Sequence, residues 1–122
     1  DVQLYVSTFY QEGGSPEFDE GIKAFINGDS TNLTNNGGND TIAAVTAMGY
    51  DAYYVALEAL KAAGSTDPGA VKAALPGVTY TGVSGDIAFD EIGDAIRDTA
   101  YIKVADTANN AWTLETVQTV AQ

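Results

Sequence analysis

Seventeen Asp and Glu stand against five Lys and Arg in 122 residues, with no His and no Cys, so carboxylates are the chain's main reactive groups. The absence of His and Cys removes Ser-His-Asp and Cys-His nucleophiles and most zinc ligand sets. What remains is carboxylate acid–base work, hard-cation binding, or recognition without chemistry. The densest acidic group is Asp86, Asp90, Glu91, Asp94 and Asp98. A calcium loop of the EF-hand type needs acids at its first, third and fifth positions and Gly at the sixth. Counting from Asp90, the third position is Ile92 and Gly93 is the fourth, so the pattern fails and the group reads as a solvated turn. A two-carboxylate hydrolase is a further reading. With so many acids, however, a close pair arises by chance, and proximity carries little information. Gly13-Gly14 and Gly37-Gly38 lack the spacing and following Lys of a phosphate loop, and Gly82-Val83-Ser84-Gly85 has no helix after it. The chain is therefore expected to bind without catalysis, cofactor or metal.

Other residues single themselves out by position. Asp51 is an acid inside an otherwise apolar helical stretch, which calls for a partner, water or a ligand cation; pairing within the fold is the expected outcome. Tyr50, Tyr53, Tyr54 and Trp112 read as packed aromatics. Asn32-Leu33-Thr34 and Asn39-Asp40-Thr41 match the glycosylation sequon, a short pattern that ordinary loop residues also satisfy.

The net charge of −12 speaks against a nucleic-acid backbone and against an anionic membrane surface, both of which need clustered cations. Hydrophobic residues at 45% are ordinary for a folded domain, and 122 residues suffice for one. No apolar stretch approaches the roughly 18 residues of a membrane-spanning helix. Asp1 opens directly on a strand-like run, which suggests a removed leader or a piece of a longer protein.

The elements that must position these residues follow from periodicity. Residues 2–10 (VQLYVSTFY) read as a strand. Ser15-Pro16-Glu17 opens a helix with Phe18, Ile22, Phe25 and Ile26 on one face, ending near Asn27-Gly28. Residues 29–40, rich in Asn, Thr and Gly, are expected to lack regular structure. A long helix over 40–63, capped by Asn39 or Asp40 and closed by Gly64, is apolar nearly all round and so expects neighbours on most sides. Ser65-Thr66-Asp67-Pro68 opens a short helix that Pro76-Gly77 stops. Strands are then expected at 78–81, 86–89, 101–105 and 112–120, with Asp90 to Asp94 a polar turn.

The order of these pieces carries a resemblance. Gly49-Tyr50-Asp51-Ala52 leads a long apolar helix, Ala63 to Pro68 (AGSTDP) links to a short one, and Thr81 to Asp94 (TGVSGDIAFDEIGD) forms a hairpin before a closing strand pair that ends with Trp112. The whole chain resembles the C-terminal third of the type I periplasmic solute-binding proteins of ABC importers, in particular the branched-chain amino acid (Leu/Ile/Val) group. The resemblance implies an α/β fold, a fragment of a two-lobed type I periplasmic-binding-protein fold, with three helices followed by short strands. Residues 1–9 would be an inter-lobe crossover, 10–98 part of the N-terminal-type lobe, and 99–122 return strands to the second lobe. Val45, five residues before Tyr50, matches the position that lines the side-chain pocket in branched-chain binders; an aromatic stands there in some members. Thr8, Phe9 and Tyr10 would lie beside the cleft mouth.

The implied function is the substrate-binding component of an ABC transporter, taking an amino acid, branched-chain or otherwise small and aliphatic, and handing it to a membrane permease. The implied location is extracytoplasmic, in a periplasm or lipid-anchored at a cell surface. Anchors for the solute's charged ends lie upstream in the family, so the chain alone is expected to supply part of the apolar wall. Its over-apolar helix is expected to favour self-association. A ligand-sensing regulatory module on the same fold and a free-standing acidic interaction domain are the alternatives.

Overall fold

In the computed structural model, which describes residues 2–119, the elements run β1 (Tyr5–Thr8), α1 (Pro16–Asn27), α2 (Ser30–Asn35), α3 (Ala44–Ala63), α4 (Pro68–Ala74), a 3-10 turn (Leu75–Gly77), β2 (Tyr80–Gly82), β3 (Gly85–Phe89), β4 (Ala95–Ile96), β5 (Thr99–Asp106) and β6 (Ala111–Thr119). Two antiparallel three-stranded sheets result, ordered β1-β5-β6 and β2-β3-β4.

Local signals explain the short helices. Pro16 and Pro68 stand in the first turns of α1 and α4, where a missing N–H costs nothing. Asp67 caps α4 by accepting from the Ala70 N–H at 2.9 Å. At the end of α3, Gly64 takes φ 59° and its N–H reaches the carbonyls of Leu60 and Lys61, a left-handed closure that favours glycine.

Residues 29–40, expected to be irregular, instead contain α2. Asp29 caps it through the Thr31 N–H at 2.6 Å, and the Thr34 hydroxyl donates to the Ser30 carbonyl at 2.8 Å. Side chains that compete with a backbone can also close one turn and a half of it. The start of the long helix is corrected too: α3 begins at Ala44, because Asn39 accepts from the Thr41 N–H and Asp40 from the Asn27 amide, which leaves neither as its cap. The first strand is shorter than 2–10, and β4 was not foreseen. Expected strand residue Val120 lies outside the described residues.

The core has two parts strung along α3. Tyr10, Phe18, Ile42 and Ala47 form one cluster, and Val55, Ala59, Val78 and Ile87 form the other. Ala47, Asp51, Val55 and Ala59, spaced by four, make the buried stripe of α3. Outside it, Val45, Met48, Tyr50 and Tyr53 remain exposed, so the packing expected of the tyrosines holds for the ring contacts of Tyr54 but not for Tyr53, which is 63% exposed. Phe25 and Trp112, also expected to pack, are 67% and 45% exposed.

Candidate functional site

The chain leaves β1 at Thr8 and turns under the N-terminal end of α3, and a cavity of about 510 Å³ opens there. Val6 and Thr8 from β1, Tyr10 and Gln11 from the turn, Ile42 before α3 and Trp112 from β6 line it. Val6 and Lys103 are register partners, and Lys103 in turn faces Leu114, so the period of two in the sheet puts Lys103 on the cavity side beside Val6 and Thr8. Its ammonium makes no ion pair among the described residues.

Polar groups around the cavity are mostly committed. Glu12 accepts from the Ile42 N–H at 2.7 Å and pairs with Lys23 at 2.7 Å. That hydrogen bond holds the Lys23 ammonium above its ordinary pKa. Tyr10 is 3% exposed and donates its hydroxyl to Asp19 at 2.6 Å, while its ring meets Phe18 edge-on at 5.4 Å. Burial first, and the Asp19 hydrogen bond second, push the Tyr10 phenol well above its usual range. Tyr10 therefore offers a ring edge and no free proton. The exception is Gln11: its amide donates to the Glu12 carbonyl at 3.1 Å, but its Oε1 is buried with no hydrogen-bond partner.

Of the residues expected at the site, Thr8 and Tyr10 come together at this cavity. Phe9 lies between them in sequence, outside the cavity lining, and its ring sits 5.5 Å beneath the Arg97 guanidinium. Val45 lies one residue past the lining Ala44 and is 73% exposed. Gln11, Lys103 and the wall position of Trp112 were missed. The alternation of β5 was the available signal for Lys103, whereas Gln11 sits in a turn without periodicity.

A second constellation builds on Asp51. Its carboxylate, 0% exposed, accepts from the Val83 N–H at 2.9 Å, the Ser84 N–H at 2.8 Å and the Ser84 hydroxyl. Those groups form the two-residue turn between β2 and β3, where Gly82 faces Gly85. A Cβ built on Gly82 would collide with the carboxylate of Asp51, so only glycine permits that approach. Asp51 is paired within the fold, as expected. The acidic turn behaves similarly: Asp90 accepts from the N–H groups of Ile92 and Asp94, and among the described residues no group of three or more His, Cys, Asp or Glu could hold a metal ion.

The family model for periplasmic binding proteins matches residues 6–109. The chain belongs to the periplasmic binding proteins. A leucine binding protein, LivK, from Thermotoga maritima is similar in structure, with a TM-score of 0.66 at 28% identity; the match covers 95% of this chain and 31% of that protein. The chain thus corresponds to part of a periplasmic-binding-protein fold and spans under a third of that relative's length. Among curated proteins there is no match. The matched family and the similar structure are both binding proteins by description, in keeping with the branched-chain group that the sequence resembles. Among the described residues no helix is long and apolar enough to cross a membrane.

Proposed function

We propose that this chain is the C-terminal part of an extracytoplasmic receptor that binds a branched-chain or other small aliphatic amino acid and delivers it to an ABC permease. In this reading residues 1–9 cross between the lobes, 10–98 belong to the N-terminal-type lobe, and 99–122 return to the second lobe. The observation that supports it most is the match of 95% of the chain to a leucine binding protein. The cavity at the end of β1 agrees in size with small-solute sites of roughly 300–1,000 Å³. Its walls agree in kind: Val6, Ile42 and Trp112 are apolar, Lys103 is a cation suited to a carboxylate, and Gln11 Oε1 is an acceptor suited to an ammonium group. Val45, exposed beside it, is the proposed contact for an aliphatic side chain, with Thr8, Phe9 and Tyr10 at the mouth.

Calorimetry on the longer protein that carries this chain is the test. Leucine, isoleucine or valine should bind with Kd of about 1 µM or tighter, while the 122-residue chain alone should give no measurable heat. A panel of aliphatic amino acids producing no heat with the longer protein would overturn the reading.

A further inference from the structure

Arg97 is the chain's only arginine, and it lies where two structural units meet. The sheet of β1, β5 and β6 packs mainly against itself and touches the helices sparsely. Its two connections to the rest of the fold run through Phe9, one residue beyond β1, and Arg97, two residues before β5. Because Thr8 pairs with Tyr101, both connections leave from the same end of the sheet.

The guanidinium spans that junction. One of its nitrogens donates to the Ser84 carbonyl at 2.5 Å and to the Ser84 hydroxyl at 2.7 Å. Ser84 is 7% exposed, and its hydroxyl donates a hydrogen bond to Asp51 on α3. Above the Phe9 ring the guanidinium stands 5.5 Å from the centroid. A continuous chain of contacts thus runs from α3 through the β2–β3 turn and Arg97 to the end of β1. Both contacts suit a planar fork that donates in its plane and stacks across its face. An ammonium could replace one of them.

We propose that Arg97 is a positioning residue, fixing the orientation of the crossover sheet on the helical body by joining Ser84 to Phe9. Neither Arg97 nor Phe9 needs to touch a solute for this. The link decides where Thr8 and Tyr10, on either side of Phe9, stand relative to the N-terminal end of α3. The consequence for solute affinity rests on the function proposed above; the mechanical claim stands without it.

The cysteine-free chain allows a direct measurement. Nitroxides placed at Glu20→Cys on α1 and Glu115→Cys on β6, both exposed, report the distance between body and sheet by pulsed electron spin resonance. The parent chain should give one narrow distance. Arg97→Lys and Phe9→Leu should each raise the population of displaced sheet about two- to fivefold, the range expected for losing one cation–π contact near a surface, with helix content unchanged. Phe9→Tyr, which keeps the ring, should match the parent. Arg97→Lys with Phe9→Leu should do no more than either alone, because both break one link. Unchanged distances in Phe9→Leu, or effects that add in full, would overturn the proposal. Should Arg97→Lys lose helix content, Phe9→Leu, which leaves the Ser84 contacts intact, decides by itself. In the longer protein the same variants should weaken amino-acid affinity only in proportion to the seated population lost, by less than about twofold while that population stays the majority. If that protein binds no amino acid, the receptor reading fails, while the spin-label distances still judge the link.

Discussion

Between α3 and the β2–β3 turn, one carboxylate at 0% exposure accepts three hydrogen bonds, and apolar clusters flank it on the same helix stripe. In β6, by contrast, all nine residues are exposed, among them Trp112, Leu114 and Val117. The first region is held by a side chain reaching across to another element and is packed on more than one side, whereas β6 is held by its backbone pairing with β5. The contrast separates two kinds of order: the body around Asp51 fixes its own geometry, whereas β6 leaves its side chains open to solvent. An exposed sheet with few charges is also the part most prone to pair with another copy.

The sharpest way to break the contrast is Asp51→Ala. It leaves the buried N–H and hydroxyl of Ser84 and the half-buried N–H of Val83 without their acceptor, each a hydrogen bond to a carboxylate worth about 1.5–3 kcal/mol. A loss of about 3–5 kcal/mol is expected in urea unfolding, after allowing for water reaching part of the gap. Gly82→Ala attacks the same contact from the other side by driving a methyl group into the carboxylate. It should cost about 1–3 kcal/mol, as overpacking does. The pair together should cost less than the sum, since with the carboxylate gone the methyl has room. Full additivity would show that Gly82 is there for its backbone alone.

How much of this was legible in the sequence depends on the range of the interaction. Caps act over three or four residues, so the starts of α1 and α4 and the end of α3 could be read directly from Pro16, Asp67-Pro68 and Gly64. The family order of motifs was equally visible. Asp51 could be read only as needing a partner, because that partner lies 32 and 33 residues away with no spacing rule to reveal it. Asp29 was read as part of an irregular loop and Asp40 as a candidate cap of the long helix. Their different fates, one capping α2 and the other held by Asn27 across 13 residues, are set by tertiary placement. Phe9 was singled out as a cleft residue, but nothing local pointed to Arg97 above it. Trp112 read as packed because aromatics in strands usually are; that expectation presumes a sheet with a covered face.

A smaller effect tests the body through pH. The Tyr10 phenol is raised in the folded chain by burial and by its bond to Asp19, while the unfolded chain titrates near the ordinary phenol value of 10.0. Above that pH the unfolded state loses the proton and the folded state keeps it, so Tyr10's contribution is complete below about pH 9 and declines as pH rises through 10 and beyond. Tyr10→Phe should lower stability at pH 7 by about 1 kcal/mol, the worth of one hydrogen bond, and flatten the alkaline decline. Tyr50, held by Tyr54 and partly by burial up to about 12, adds to the decline in the same direction and survives in the variant. If stability in Tyr10→Phe still falls as steeply between pH 9 and 11 as in the parent, the decline belongs to other groups.

The smallest effect is expected where the sheet is open. Leu114→Thr removes an apolar side chain that is 44% exposed and keeps a strand-forming residue in β6. Its urea midpoint should move by no more than about 0.5 kcal/mol equivalent, as for surface substitutions generally. Any tendency of the chain to associate through this face should weaken, read as a lower mass in light scattering at high concentration. In the longer protein the reasoning diverges. If a second lobe covers this face of β6, the same substitution should cost about 1–2 kcal/mol there, the scale of burying such a side chain. The difference between the two settings measures how much of the sheet the rest of the longer protein covers. Equal small effects in both would mean that β6 stays open to solvent in the longer protein as well.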